Sequence, residues 1–207
     1  MIEKFARAGK VIVREHYTAR KLRTFDELRK DEERAEIQQE AQRLVASFQR
    51  DYVKALDSPD VRTIVWDTTS EIKQLYDMAA FGKLTQVLPR NRTEAKFELN
   101  KLPKMVFSTD KNLIMIARLG ERWHNDKPTG EMEPKGMTDI LYLADTYVRT
   151  YAETEDDDEG NPQTDFWFEV ETSRTNTQLI GRDYSDERAT LPHLAADMFG
   201  TDLDAWR

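Results

Sequence analysis

The sequence predicts an α/β fold with a mostly parallel sheet and an antiparallel hairpin toward its C-terminal end. Three observations carry that expectation. Two short apolar runs, Ile64-Val65-Trp66 and Leu113-Ile114-Met115-Ile116, are separated by helix-patterned sequence, the βαβ order that sets strands side by side in parallel. From Phe25 to Leu56 apolar residues recur at three- and four-residue steps, as on a helix that covers a sheet. In Phe166–Glu171, Phe166, Phe168 and Val170 alternate with Trp167, Glu169 and Glu171, the period of a strand with one buried face.

Composition narrows the class. At 207 residues the chain can bury a substantial core, and no repeat or low-complexity linker divides it, so a single domain over 1–207 is expected. Hydrophobic residues at 39% exclude a disordered chain, while 34% charged residues require well-solvated helix surfaces. A net charge of -8 disfavours coating of nucleic acid by bulk electrostatics; any DNA path is local or assembled from several copies. The absence of cysteine removes disulfides, thiolate metal sites and a cysteine nucleophile. No apolar run approaches the roughly 20 residues of a membrane span. The stretch Met1–Phe5 lacks the apolar core of a signal peptide, so a soluble, cytoplasmic chain with no membrane partner is expected. His16, His124 and His193 form no ligand-spaced pair.

Taken in order, residues 1–9 read as the end of a helix stopped by Gly9, and Lys10–Tyr17, with Val11-Ile12-Val13, as a short strand closing on Glu15 and His16. The long helix Phe25–Leu56 follows, with a break near Asp31 and a mixed-charge solvated face at Arg29–Arg34. The strand ending at Asp67 leads into a helix over Ser70–Gly82, with Ile72, Leu75, Tyr76 and Ala79 on one face. Asn91–Phe107 is a less regular helix interrupted by Pro103, and Lys111–Arg118 is the second buried strand. Residues 120–139, with Pro128, Gly130, Pro134 and Gly136, read as a loop placed to meet a ligand or a neighbouring subunit. Ile140–Tyr151 reads as a helix entering a strand. Ala152–Thr164 reads as an acidic hairpin tip, whose spacing does not match a calcium loop. After the strand Phe166–Glu171, Gln178–Gly181 is a hairpin return, and a short helix from Pro192 is closed by Gly200, with Trp206 as an anchor.

The stretch most informative about chemistry is Arg62–Glu71. Ile64-Val65-Trp66 ends abruptly on Asp67, with Thr68 and Thr69 behind it. A buried parallel strand presents a carboxylate in this way at the end where open α/β sheets bind ligands. In nucleotide-hydrolysing proteins an aspartate so placed holds Mg²⁺, usually through water, beside a phosphate chain. An aspartate that caps the next helix has the same local pattern.

The order of these pieces resembles that of phage-encoded P-loop ATPases of the RecA-like kind: Phe5-x-x-x-Gly9-Lys10, a strand, a long helix, a strand ending Asp67-Thr68, a strand Asn112–Ile116, a Gly-Pro loop and Ser173-Arg174-x-Asn176. The resemblance covers most of the chain from Ile2 to Trp206. It implies a three-layer, mostly parallel RecA-like sheet with a C-terminal antiparallel hairpin. It further implies ATP and Mg²⁺ as cofactors, and Asp67 as the Walker B metal residue assisted by Thr68 and Thr69. Arg118 would sense the terminal phosphate and Arg174 would reach a neighbouring subunit's nucleotide. The family often has a Lys close before that arginine, where this chain has Thr172 and Ser173, and an arginine that only holds the hairpin fits equally.

No Gly-x-x-x-x-Gly-Lys-Ser/Thr loop occurs in the chain. That loop cradles the phosphates with backbone N–H groups. The expectation is therefore the C-terminal part of such an ATPase, lacking the first strands and P-loop. It would work in DNA recombination or replication as a homo-oligomer or beside a full-length ATPase subunit, with single-stranded DNA as the nucleic acid. Glu15 lies one strand too late to replace the missing catalytic acid. The alternative is a non-enzymatic α/β module that binds a full-length ATPase or a phage replication protein through an open sheet edge.

Overall fold

The computed structural model describes residues 31–82, 93–124, 127–135, 140–156 and 161–206. The expected helix end at 1–9, the strand at Lys10–Tyr17, the start of the long helix and the tip of the acidic turn lie outside them. The chain divides into two compact units, Met1–Asp139 and Ile140–Arg207.

In the first unit, α1 (Asp31–Asp57) precedes β1 (Thr63–Asp67), α2 (Thr69–Phe81) and α3 (Thr93–Met105). Then come β2 (Asn112–Ile116), β3 (Leu119–His124) and β4 (Lys127–Pro134). β1 and β2 are parallel, with Thr63 opposite Asn112 and Asp67 opposite Ile116. The helices supply the core. Ala41 of α1 meets Leu75 and Met78 of α2, flanked by Ile37, Leu44, Val45 and Ala79. Phe48 and Tyr52, one turn apart on α1, meet the Trp66 ring edge-on at 5.5 and 5.1 Å. Alternation along β1 thus turns Trp66 inward and leaves Val65 53% exposed. The turn before β1 is fixed by Lys111, just ahead of β2, whose Nζ donates to the carbonyls of Ser58 and Val61, both at 2.7 Å.

The last turn of α2 is closed by side chains from α1, which satisfy carbonyls that a helix end leaves free. Arg34 donates to Phe81 O at 3.1 and 3.0 Å, Gln38 to Ala79 O and Ala80 O, and Gln42 to Ala79 O. Gly82 completes the stop in the left-handed region at φ 63°. A Cβ there would stand 2.8 Å from Arg34 Cγ and 2.9 Å from Arg34 O. Gly82→Ala is expected to lower stability by about 1–3 kcal/mol, read from urea denaturation.

The second unit comprises a single helical turn, α4 (Ile140–Leu143), then β5 (Thr146–Asp156), β6 (Pro162–Ser173), β7 (Asp183–Ser185) and α5 (Leu191–Phe199). Its sheet has the order β5-β6-β7 and is antiparallel throughout. Phe168, Val170, Leu179, Tyr184 and Leu194 form its core, with Phe168 stacked on Tyr184 at 4.8 Å. The Tyr184 hydroxyl donates to Asp197 Oδ2 at 2.8 Å, which also receives Arg182 Nη1 at 3.0 Å.

Three buried phenols make the folded chain less stable at alkaline pH. Burial pushes Tyr52, Tyr76 and Tyr184 from the ordinary 10.0 up to about 12. Between those values the unfolded chain loses phenolic protons that the folded chain keeps, so stability falls as pH rises. Each phenol contributes a loss on the order of 2 kcal/mol, complete above the folded value. Circular dichroism and phenolate absorbance are expected to break together between pH 10 and about 12, and phenols that ionise near 10 without unfolding would contradict this.

The expected three-layer, mostly parallel RecA-like sheet does not form. Among the described residues the only parallel pairing is the two-stranded β1–β2 sheet; β3–β4 is a separate antiparallel pair and β5–β7 are antiparallel. The physical reason lies in the connections. Parallel strands need a crossover of a dozen or more residues, which α2 and α3 provide between β1 and β2. β4, β6 and β7 each follow their predecessor with no crossover helix between them and pair with it antiparallel. Residues 120–139, read as a loop, supply most of the β3–β4 ribbon. Among the described residues no helix is long and apolar enough to cross a membrane.

Candidate functional site

The C-terminal ends of β1 and β2 lie together, Asp67 opposite Ile116. The Asp67 side chain is on the exposed face of β1, and its carboxylate takes no hydrogen bond or ion pair among the described residues. The Asp67–Thr68 peptide is cis. The cap of α2 is Thr68, not Asp67: its backbone is extended and its Oγ1 accepts from Glu71 N at 3.3 Å. The helix-cap alternative for Asp67 is thereby answered, and the carboxylate is left facing outward.

The next residues tie α2 to the strand ends. Thr69 is fully buried and its Oγ1 donates to Ile116 O at 3.1 Å, so that hydroxyl proton is committed to the scaffold. Ser70, also buried, donates from Oγ to Lys135 O at 2.6 Å and accepts from Arg118 N at 3.3 Å. Arg118 O in turn accepts from Lys135 N at 2.7 Å. Three segments are thus joined by one hydroxyl: the first turn of α2, the residues after β2 and the end of β4. Above this knot, Arg118 Nη2 donates to Glu71 Oε1 at 2.6 Å, with both side chains solvent-facing.

Asp67, Thr68, Thr69 and Arg118 therefore come together at one end of the parallel pair. Arg174 belongs to the second unit, just past β6. Its N–H donates to Asp145 O at 2.7 Å and its Nη2 to Tyr142 O at 2.5 Å, fastening the approach to β5 against the end of β6. These bonds are those of an arginine that holds the hairpin.

Sequence reasoning missed Ser70, Glu71 and Lys135. Thr68-x-x-Glu71 carries the capping-box spacing that marks a helix start, and it was available as a signal. Ser70 and Lys135 meet through a backbone carbonyl 65 residues away, which no local pattern announces.

Among the described residues no group of three or more His, Cys, Asp or Glu could hold a metal ion. A lone exposed carboxylate does not fit a resident metal. It fits Mg²⁺ that arrives with a phosphate chain, because that ion keeps most of its waters and needs only one or two carboxylates beside the phosphates. No protein-family model matches the chain, and no curated protein matches it.

Proposed function

We propose that this chain binds a magnesium nucleotide, ATP by the resemblance, at the C-terminal end of the β1–β2 pair, and serves DNA recombination or replication of the phage type. The single observation that supports this reading is Asp67, an exposed carboxylate without a partner among the described residues at the end of a parallel strand. Asp67 would hold the Mg²⁺ through water, and the ion, when bound, offsets phosphate charge. Arg118, held at the rim in an ion pair with Glu71, would reach a terminal phosphate only by leaving that pair.

The reading is one of binding more than turnover. The chain has no glycine-rich phosphate loop, and Glu71, the other acid of the cluster, is paired with Arg118. A second subunit, another copy or a full-length ATPase, would complete the site, with single-stranded DNA as the associated nucleic acid. Calorimetric titration of the purified chain with Mg·ATP tests the reading: heat that depends on Asp67 supports it, and a folded chain without heat overturns it.

One observation favours the second reading, a non-enzymatic module that binds a partner chain. The parallel sheet has two strands among the described residues, and Val65 and Ile116 on its outer face are 53% and 44% exposed. A partner's apolar surface would cover such a face, and a strand added at the open edge would pair the sheet's free backbone groups.

A further inference from the structure

A second cation starts from the backbone knot around Ser70, and its stem runs beside a glycine. Lys135 is pinned at both backbone groups, its N–H to Arg118 O at 2.7 Å and its carbonyl to Ser70 Oγ at 2.6 Å. Its Cα therefore sits between the first turn of α2 and the residues that follow β2. Its side chain runs across Gly120, in space that any other residue would fill: a Cβ on Gly120 would stand 1.5 Å from Lys135 Cε and 2.5 Å from Nζ. Gly120 is buried, yet it does not need glycine for its backbone, since its φ is not in the left-handed region. What it provides is room for the lysine stem. The Lys135 ammonium takes no ion pair among the described residues, whereas Arg118 is neutralised by Glu71. The segments joined at Ser70 thus carry, among the described residues, a carboxylate without a partner at Asp67, a paired guanidinium at Arg118 and an ammonium without an ion pair at Lys135.

We propose that Lys135 is the phosphate-binding cation of this site, a role that rests on the nucleotide reading above, and that Gly120 is the residue that positions it. An ammonium is a compact point charge on a flexible stem, suited to an anion whose charge is spread over several oxygens. A chain without a glycine-rich phosphate loop needs such a group if it is to hold a polyphosphate. The backbone bonds on either side of Lys135 fix where the stem starts, and the Gly120 gap fixes the path that it takes.

The test is titration of the full chain with Mg·ATP, and with adenosine as the phosphate-free probe, for wild type, Lys135→Met, Lys135→Arg and Gly120→Ala, alongside thermal melting. Lys135→Met is expected to weaken Mg·ATP by roughly tenfold or more, with adenosine unaffected, and Lys135→Arg to restore most of the loss. Gly120→Ala displaces only the far end of a flexible side chain, and alanine suits a strand at least as well as glycine. It is therefore expected to melt as wild type does, yet to weaken Mg·ATP by about threefold or more.

Wild-type affinity in Lys135→Met overturns the proposal and leaves the Asp67 reading standing. Equal losses for adenosine and Mg·ATP mark a structural effect and overturn it as well. A folded wild type that binds no Mg·ATP overturns both.

Discussion

Replacing Trp66 by alanine is expected to destabilise the first unit by about 3–5 kcal/mol, the largest stability effect of any single substitution in β1. The ring is 3% exposed and lies edge-on to both Phe48 and Tyr52, so its removal opens a void between α1 and the sheet. Tyr52 would suffer in turn, because its ring is set by Trp66 on one side while its hydroxyl donates to Leu102 O at 3.0 Å on α3. One sheet residue thus supports the packing of two helices. The contrast with Trp66→Phe makes the prediction specific. The indole Nε1 is buried with no hydrogen-bond partner among the described residues, a desolvation cost of about 1–3 kcal/mol that phenylalanine does not carry. Phenylalanine keeps an aromatic edge for both neighbours and loses part of the volume, so the two terms oppose each other and a net change within about 1 kcal/mol is expected. Urea unfolding followed by circular dichroism separates the cases. A loss below 1 kcal/mol in Trp66→Ala would mean that α1 does not depend on this contact.

What the sequence made legible, and what it did not, follows from how each element is stabilised. Elements that bury one face announced themselves. The periodicity of α1 gave its apolar stripe, Gly82 gave the end of α2, alternation gave β6 with Phe168 and Val170 inward, and Pro192 and Gly200 bracketed α5. Pro103 predicts a break, yet α3 runs through it to Met105 before tightening into a 3-10 turn over Val106–Ser108.

Exposed ribbons were the failures. β4 is exposed from Lys127 to Met132 and carries Pro128 and Gly130, so neither alternation nor composition distinguishes it from a loop. The outer part of the β5–β6 hairpin, Glu153 opposite Asp165 and Glu155 opposite Gln163, is polar on both faces for the same reason. The sheet class was misjudged because it depends on which edges meet, a long-range property that short apolar runs do not encode. The meeting of Asp67, Thr68, Thr69 and Arg118 at one end of the parallel pair was legible because strand ends are. Lys135 was not, because it is recruited by backbone hydrogen bonds from a segment that reads as a loop.

Asp67→Ala is expected to abolish measurable Mg·ATP binding, a loss of about 100-fold or more, while leaving the melting temperature unchanged. The two halves of that expectation come from the same geometry. The Asp67 carboxylate faces solvent, takes no bond among the described residues and does not cap α2, so removing it should cost the fold no more than an ordinary surface change, about 0.5 kcal/mol. The same carboxylate is the negative charge that would draw a hydrated Mg²⁺ to the strand ends, and a magnesium polyphosphate held without it must rely on cations alone.

Asp67→Asn refines the argument, since the amide keeps the shape and an acceptor oxygen but not the charge. It is expected to bind nucleotide only as weakly as wild type does when Mg²⁺ is removed by a chelator. If Asp67→Asn retains full, magnesium-dependent binding, the carboxylate is not the ion's partner. If Asp67→Ala binds as wild type does, the strand-end site is not where the nucleotide sits. The exposed face around Val65 and Ile116 then becomes the part of this unit whose exposure still needs a partner to explain it.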